Sequence, residues 1–190
     1  MLFRSYDLQK DFTPISVATT SPMVLIIAPN LAAKSVKELI SLVKTQPGKY
    51  NYGTGGSGTS AHVIMELFRS MAGIHAVHVA YKGVAQATTE LIAGQIHLMF
   101  NSSATALPHM QAVRVRGLAI SSGQRSPLVP GTPTIAESGL PGFDASIWQG
   151  VLAPARLPAD LVSKLSRDFK TMLTANETRE AFAGAGVEAL

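Results

Sequence analysis

Apolar positions along this chain fall into short runs separated by spaced stripes. Met23-Val24-Leu25-Ile26-Ile27-Ala28 is a strand-like run that stops at Pro29. Ser35-Val36-Lys37-Glu38 has capping-box spacing, so Ser35 and Glu38 are placed to satisfy each other's backbone donors. Val36, Leu39, Ile40 and Val43 then mark one helical face, which Pro47-Gly48 ends. The alternation repeats. Lys49 to Tyr52 reads as a strand, and Thr59 to Ala72 as a helix burying Val63, Ile64, Leu67, Phe68 and Met71. Ala76 to Tyr81 is a strand, Val84 to Ala93 a helix, Ile96 to Phe100 a strand, Ala104 to Ala112 a short helix and Arg116 to Ser121 a strand. Strands alternating with helices across short turns predict an α/β fold with a parallel sheet. Right-handed crossovers put the βα turns on one edge, where ligands of such sheets sit.

Residues 1–22 read as an entry segment. The stretch 123–142 is rich in Pro, Gly and Ser and reads as a connecting loop. Beyond it come a strand from Ser146 to Leu152 with the only tryptophan, Trp148, and a helix begun at Pro158 with Leu161, Leu165, Phe169, Met172 and Leu173 on its apolar face. Asn176 is expected to cap a last short helix, which ends near Gly184-Ala185-Gly186.

Composition narrows the chemistry. There are no cysteines, which removes disulfides, thiolate metal sites and cysteine nucleophiles. The net charge of +4 comes from scattered residues such as Lys34, Lys37, Lys44, Lys49, Arg114 and Arg116. No basic block interleaves with aromatics, so nucleic acid is not the expected partner, whereas a mild positive field suits acidic small molecules. No apolar run approaches the span of a bilayer, and Met1 to Lys10 does not read as a signal peptide.

The richest motif is Asn51-Tyr52-Gly53-Thr54-Gly55-Gly56-Ser57-Gly58-Thr59-Ser60-Ala61-His62, which links a strand to a helix. Its glycines allow a tight turn, Ser57, Thr59 and Ser60 add hydroxyls, and the helix start supplies unpaired N–H donors and the positive dipole end. Three readings stay open: a turn that merely needs small residues, a non-nucleotide anion site and a nucleotide site. Gly53, Gly55 and Gly58 satisfy G-x-G-x-x-G, but the acidic residue expected at the end of the next strand is replaced by Tyr81-Lys82-Gly83. NAD is disfavoured, and NADP is only weakened because Lys82 suits a 2′-phosphate. The P-loop reading fails because Thr59 stands where its lysine belongs. Tyr81-Lys82-Gly83 offers a hydroxyl and a charge on the second βα turn, against the reading of a solvated lysine. Asn101-Ser102-Ser103 on the third offers an amide, against the reading of an N-cap. His62 is the histidine with a ligand role; His78 and His97 alternate with apolar residues and read as hydrogen-bonded structural groups. No histidines pair at metal-ligand spacing on one helix, no nucleophile elbow occurs and no carboxylate pair reads as an acid/base dyad.

The whole chain resembles the Bug (TctC-like) family of extracytoplasmic solute-binding receptors. The matching residues are 6–16 (Tyr6-Asp7-Leu8-Gln9-Lys10-Asp11 onward), 35–40, 46–52 and the Gly/Ser turn to His62. His78 to Gly83, Leu107-Pro108-His109, Arg125-Ser126-Pro127, 133–143 and Leu152-Ala153-Pro154 also match, in order. The resemblance implies a periplasmic-binding-protein-like (type II) fold with two lobes. It implies a receptor rather than an enzyme, without a cofactor. Such a receptor captures a small carboxylate in the periplasm for a tripartite tricarboxylate transporter. Carried over by motif, the ligand-binding residues are Ser57, Gly58, Thr59, Ser60 and His62 with Tyr81, Lys82 and Gly83. Asn101 is carried over too, although many members have an acidic residue there.

The resemblance also implies departures. Family members begin with a signal peptide and a first-lobe half that are absent before Met1 here, and they continue past Gly186 into final helices. The expected organisation is therefore a crossover segment of lobe 1 over 1–28, the α/β ligand-binding lobe 2 over 29–122, a connecting loop over 123–142 and a partial lobe 1 over 143–190. One near-complete parallel-sheet lobe and part of another imply a truncated receptor with impaired binding. Uncovered apolar surface at Leu161, Leu165 and Phe169 then implies self-association. The alternative function is an NADP-binding oxidoreductase fragment using the Gly53–Gly58 turn, and a third reading is a fold with no ligand role.

Overall fold

The computed structural model describes residues 6–190; residues 1–5 of the expected crossover segment over 1–28 lie outside the described residues. The apolar run of the sequence is the second half of a longer strand, β1 (Phe12–Ile27). Alternation sends Leu25 and Ile27 into one apolar cluster and Val24, Ile26 and Ala28 into another. Both faces of this half are dry, which is why no polar residue interrupts it.

Four further strands follow: β2 (Asn51–Thr54), β3 (Val77–Ala80), β4 (Leu98–Ser102) and β5 (Arg116–Ile120). Their order is β3-β2-β4-β1-β5. β2 is parallel to β3 and β4. β1 runs antiparallel to β4 and β5, so one reversed strand sits inside an otherwise parallel sheet. Hydrophobic pattern carries no strand direction, and the reversal was not legible from it.

The helices form the outer layers. α1 (Val36–Thr45) and α2 (Ser60–Ala72) pack on the Leu25 and Phe100 face, while α3 (Val84–Ile92) and α4 (Ser103–Gln111) pack on the Val24 and Met99 face. Ser35 caps α1 by accepting the Glu38 N–H at 3.2 Å, and the Glu38 carboxylate takes the Lys34 N–H at 2.8 Å rather than that of Ser35. In α2 the stripe facing the sheet is Ala61, Ile64, Met65, Phe68 and Ala72. Val63, Leu67 and Met71, expected inside, are 60%, 40% and 40% exposed. Two apolar stripes lie side by side on this helix, and a sheet contacting one side covers one of them.

Two compact units divide the chain: Pro22–Ile147, and the residues up to Ser21 together with Trp148–Leu190. The larger unit takes in 22–28 and 123–147 beyond the stretch read as the α/β lobe. Tertiary contacts explain the extension. Thr134 bridges to Ile120, and Thr134 and Glu137 exchange reciprocal hydrogen bonds at 2.9 and 3.1 Å. Phe143 is buried edge-on against Phe68 at 6.2 Å.

Beyond these elements, β6 (Ser146–Pro154) and β7 (Glu188–Ala189) both pair with β1. α5 (Ala159–Thr174) begins after Pro158 in the cap position and buries only Leu173. Leu161 is exposed, and Leu165 and Phe169 are half-buried. Ala175, not Asn176, holds the cap position of α6 (Asn176–Gly184), with no side-chain cap bond. Asn176 is already helical, so its short side chain follows the turn it was expected to cap.

Candidate functional site

The Gly-rich turn leaves the carboxyl end of β2 and enters α2. Thr59 stands in the N-cap position, but its hydroxyl bonds the Gly56 carbonyl at 2.9 Å, and no side chain caps the helix. The first intrahelical bond runs from the Val63 N–H to the Thr59 carbonyl at 3.0 Å. The donors ahead of it face a turn in which Ser57, Gly58, Thr59 and Ser60 are all exposed. Gly58 has φ +79°, a left-handed conformation that a side chain would strain.

α3 has the same character. Gly83 occupies its N-cap position, again without a side-chain cap bond. By contrast, Ser35 caps α1 and Ser102 caps α4. The two uncapped starts adjoin. The Tyr81 N–H bonds the Thr54 carbonyl at 3.0 Å. A Cβ added at Gly55 would lie 3.0 Å from the Val84 nitrogen and 3.3 Å from the Gly83 carbonyl carbon. Only glycine lets the two backbones approach this closely. The first and second βα turns thus form one corner with two open helix N-termini.

Side chains around this corner are already engaged. His62 Nδ1 accepts the Gly58 N–H at 3.0 Å. Gln86 Oε1 reaches back to the Lys82 N–H at 3.4 Å. Lys82 is exposed, while Tyr81 is half-buried; burial, with the Glu90 charge adding, raises its phenol. His62 bonds a backbone donor rather than a Ser57, Thr59 or Ser60 hydroxyl, so it is not poised as a base for a serine nucleophile.

Asn101 is placed differently from its neighbours in the sequence motif. β4 runs two residues further than expected, so Asn101 lies in the strand opposite Val24, 2% exposed. Its Nδ2 donates to Thr88 Oγ1 at 3.1 Å and its Oδ1 accepts the Ser102 N–H at 2.9 Å. It ties β4 to the second turn of α3 and is not presented at the corner. Ser102 fulfils the N-cap role that the sequence offered for this turn.

Beneath the turn lies a cluster that sequence spacing did not bring together. His78 on β3 sits 2.7 Å from Thr54 Oγ1, which also accepts the Gly56 N–H at 3.2 Å. The His62 and His78 rings stack at 4.2 Å, and Tyr52 stacks on His78 at 4.8 Å. Tyr52 bonds Glu66, which pairs with Arg69, and Arg69 lies over the Tyr52 ring. Burial first, then Glu66, pushes the Tyr52 phenol up to about 12. Burial also pushes the Glu66 carboxyl up, but hydrogen bonds from Tyr52 and Arg69 outweigh it and leave it below its ordinary value. Burial, with the His62 charge adding, lowers His78. The only sequence signal for this cluster was the alternation of His78 with apolar residues. The half-buried His97 accepts the Asn51 N–H at 3.1 Å, as expected of a structural group.

At the start of β5, Pro29, Met110, Val113, Val115, Arg116 and Gly117 line a cavity of about 280 Å³. Arg116 is committed there to the Leu31 and Ala33 carbonyls at 3.1 and 2.7 Å. Among the described residues, no group of three or more His, Asp or Glu side chains is placed to hold a metal ion. No helix of these residues is long and apolar enough to cross a membrane.

Comparison with known proteins covers the whole of this architecture. The profile described as "Tripartite tricarboxylate transporter family receptor" matches residues 3–190. The protein BugT of Bordetella pertussis is 33% identical over 181 residues, covering 95% of this chain and 56% of that protein. Among solved structures, R. palustris Rpa4515 with adipate superposes with a TM-score of 0.83 at 32% identity, covering 97% of this chain and 62% of that one. MatC from Rhodopseudomonas palustris with bound malate gives 0.78 at 28% identity, covering 98% and 64%. The chain therefore spans just over half the length of the curated relatives it matches. The oxidoreductase alternative finds no support: the matching family is described as a receptor family, and the periplasmic binding protein BugD superposes with a TM-score of 0.76 at 29% identity, covering 94% of this chain and 60% of that one.

Proposed function

We propose, because this chain belongs to the tripartite tricarboxylate transporter receptor family, that its larger unit is the carboxylate-holding part of a periplasmic solute receptor. The chain is a receptor, not an enzyme. The observation that carries the reading is the pair of adjoining, uncapped helix N-termini, where Gly55 meets Gly83 and Val84. Each N-terminus favours an anion by roughly 0.3–1 kcal/mol at an exposed site, and charge-assisted hydrogen bonds add about 1.5–3 kcal/mol each. Ser57, Gly58, Thr59 and Ser60 supply donors from the first turn, and Tyr81, Lys82 and Gly83 a hydroxyl, a charge and backbone from the second. His62 governs the Gly58 donor, and Asn101 acts by fixing α3 against β4. The ligand class is a small dicarboxylate, supported by the adipate and malate held by two similar structures. Release is to the membrane subunits of a tripartite transporter.

Titrating the ¹⁵N-labelled chain with adipate and malate tests this. Saturable shifts are expected at the amides of 57–62 and 82–84, with sulfate producing weaker ones. Carboxylates that move neither turn, or move only residues around the β5 cavity, would refute it.

A further inference from the structure

His62 and His78 lie sixteen residues apart in sequence and on different elements, yet their rings stack at 4.2 Å with planes 14° apart. Each holds a different part of the same turn. His62 Nδ1 accepts the Gly58 N–H directly. His78 Nε2 meets Thr54 Oγ1, which in turn accepts the Gly56 N–H. The donor held by His62 is one that a bound carboxylate would require. An Nδ1 that accepts this bond carries no proton, so the bond exists only while His62 is neutral in that tautomer.

We propose that His62 and His78 form a proton-operated latch on the Gly-rich turn, in which neutral His62 withholds the Gly58 N–H and protonated His62 yields it to a bound carboxylate. The inference rests on the carboxylate reading of this corner. Imidazoles change charge between about pH 5 and 8, within reach of ordinary acidification. Protonation at Nδ1 turns the acceptor into a donor. The Gly58 N–H is then released, and a positive charge appears one helical turn from the anion. A carboxylate that takes this donor favours the protonated ring in return, so ligand and proton are taken up together.

His78 sets how the latch titrates. Two imidazolium rings at stacking distance repel, so the pair takes up its protons in two separated steps. The other charged and titratable groups facing the pair are Glu66 and Arg69 on α2 and Tyr52 on β2. Glu66 is already shared between Tyr52 and Arg69, so its charge is largely offset within the cluster. Burial, with the His62 charge adding, already holds His78 below the ordinary imidazole value. Charge on either ring opposes charge on the other, and His62 is the ring that bears on the ligand turn. His78 is a positioning residue: it holds the His62 ring and limits its partner's charge without meeting the ligand.

The experiment follows the histidine rings and the Gly58 amide of the full chain by NMR from pH 8.5 to 4.5, without ligand and with adipate or malate as probes. The Gly58 amide is expected to shift with the midpoint of the His62 ring, and the two histidines to titrate in separate steps. Adipate affinity is expected to rise about tenfold between pH 8 and 5.5, the worth of one charge-assisted hydrogen bond. His62→Gln keeps an acceptor for Gly58 but cannot titrate, so it should abolish the pH slope while leaving thermal stability close to the parent. His78→Gln leaves one imidazole at the turn and should reduce the two titration steps to one. A Gly58 amide indifferent to pH, or an unchanged slope in His62→Gln, overturns the latch. Binding with no pH dependence overturns the latch alone. Amides 57–60 that ignore both probes at every pH, while Gly58 still follows His62, overturn the carboxylate reading and with it the ligand role of the latch.

Discussion

Replacing Gly55 with alanine tests whether the two turns truly share one corner. The added Cβ would lie 2.9 Å from Val84 Cγ2, 3.0 Å from the Val84 nitrogen and 3.3 Å from the Gly83 carbonyl carbon. The Val84 methyl can rotate away, but the backbone nitrogen cannot, so the turns must part by roughly 0.5 Å to regain ordinary contact. Overpacking of this kind costs about 1–3 kcal/mol. Alanine recovers about 0.4–1 kcal/mol by restricting the unfolded chain. The balance is a loss of about 1–2 kcal/mol, which for a chain of this size lowers Tm by roughly 2–8 °C. Because the wedge opens the proposed site, amide shifts of 57–62 and 82–84 on adding adipate should weaken together. Gly58→Ala is the control: nothing lies within 4 Å of its Cβ, but its φ of +79° strains any side chain. It should cost about 1 kcal/mol through that local strain alone, without disturbing the Tyr81–Gly83 amides. Circular-dichroism melting and ¹⁵N spectra read both effects. A Gly55→Ala variant that melts within a degree of the parent with its 82–84 amides unmoved would show that the turns do not abut.

Further expectations concern pH and surface. Burial, with the Lys49 charge adding, lowers His97, and burial with the His62 charge lowers His78, so the unfolded chain binds more protons than the native one in the mildly acidic range. Their stabilising effect is complete above the unfolded value near pH 6.5 and is lost as pH falls through the folded values. Urea midpoints should therefore drop from pH 7.5 to 5, and His97→Gln, which keeps an acceptor for Asn51, should flatten that slope; a flat parent profile would contradict the assignment. The Thr134 N–H first, and then Arg125, holds the Glu137 carboxyl below its ordinary value. The loop it ties should keep its protection from proteolysis above about pH 4.3 and lose it as pH falls further. Glu137→Gln should be cut equally at both ends of that range. Leu161, Leu165 and Phe169 give α5 an apolar face with little cover, so light scattering should find self-association at tens of micromolar. Leu161→Lys should reduce it, and a monodisperse parent would exclude that role for the face.

Much of this molecule could be read from residues near one another in sequence. The βα alternation, the capping of α1 by Ser35 and the strand–turn–helix setting of Gly53–Gly58 all depend on neighbours within a few positions. Spacing and short-range hydrogen bonding therefore settle them. The motif string that resembles solute receptors is likewise a property of the sequence alone. Other features required the strands to find their partners. Asn101 became a buried tie because β4 pairs with the reversed β1 for two residues beyond the apolar run, and alternation then turns its amide toward Thr88. Val63, Leu67 and Met71 stayed outside because the sheet covers only one side of α2. The meeting of Gly55 with Gly83, and of His62 with His78, depends on β3 lying beside β2 in one register. Local pattern fixes which residues can turn, cap or alternate. Which distant groups touch is decided by strand order, direction and register, because those alone bring separated parts of the chain within bonding distance.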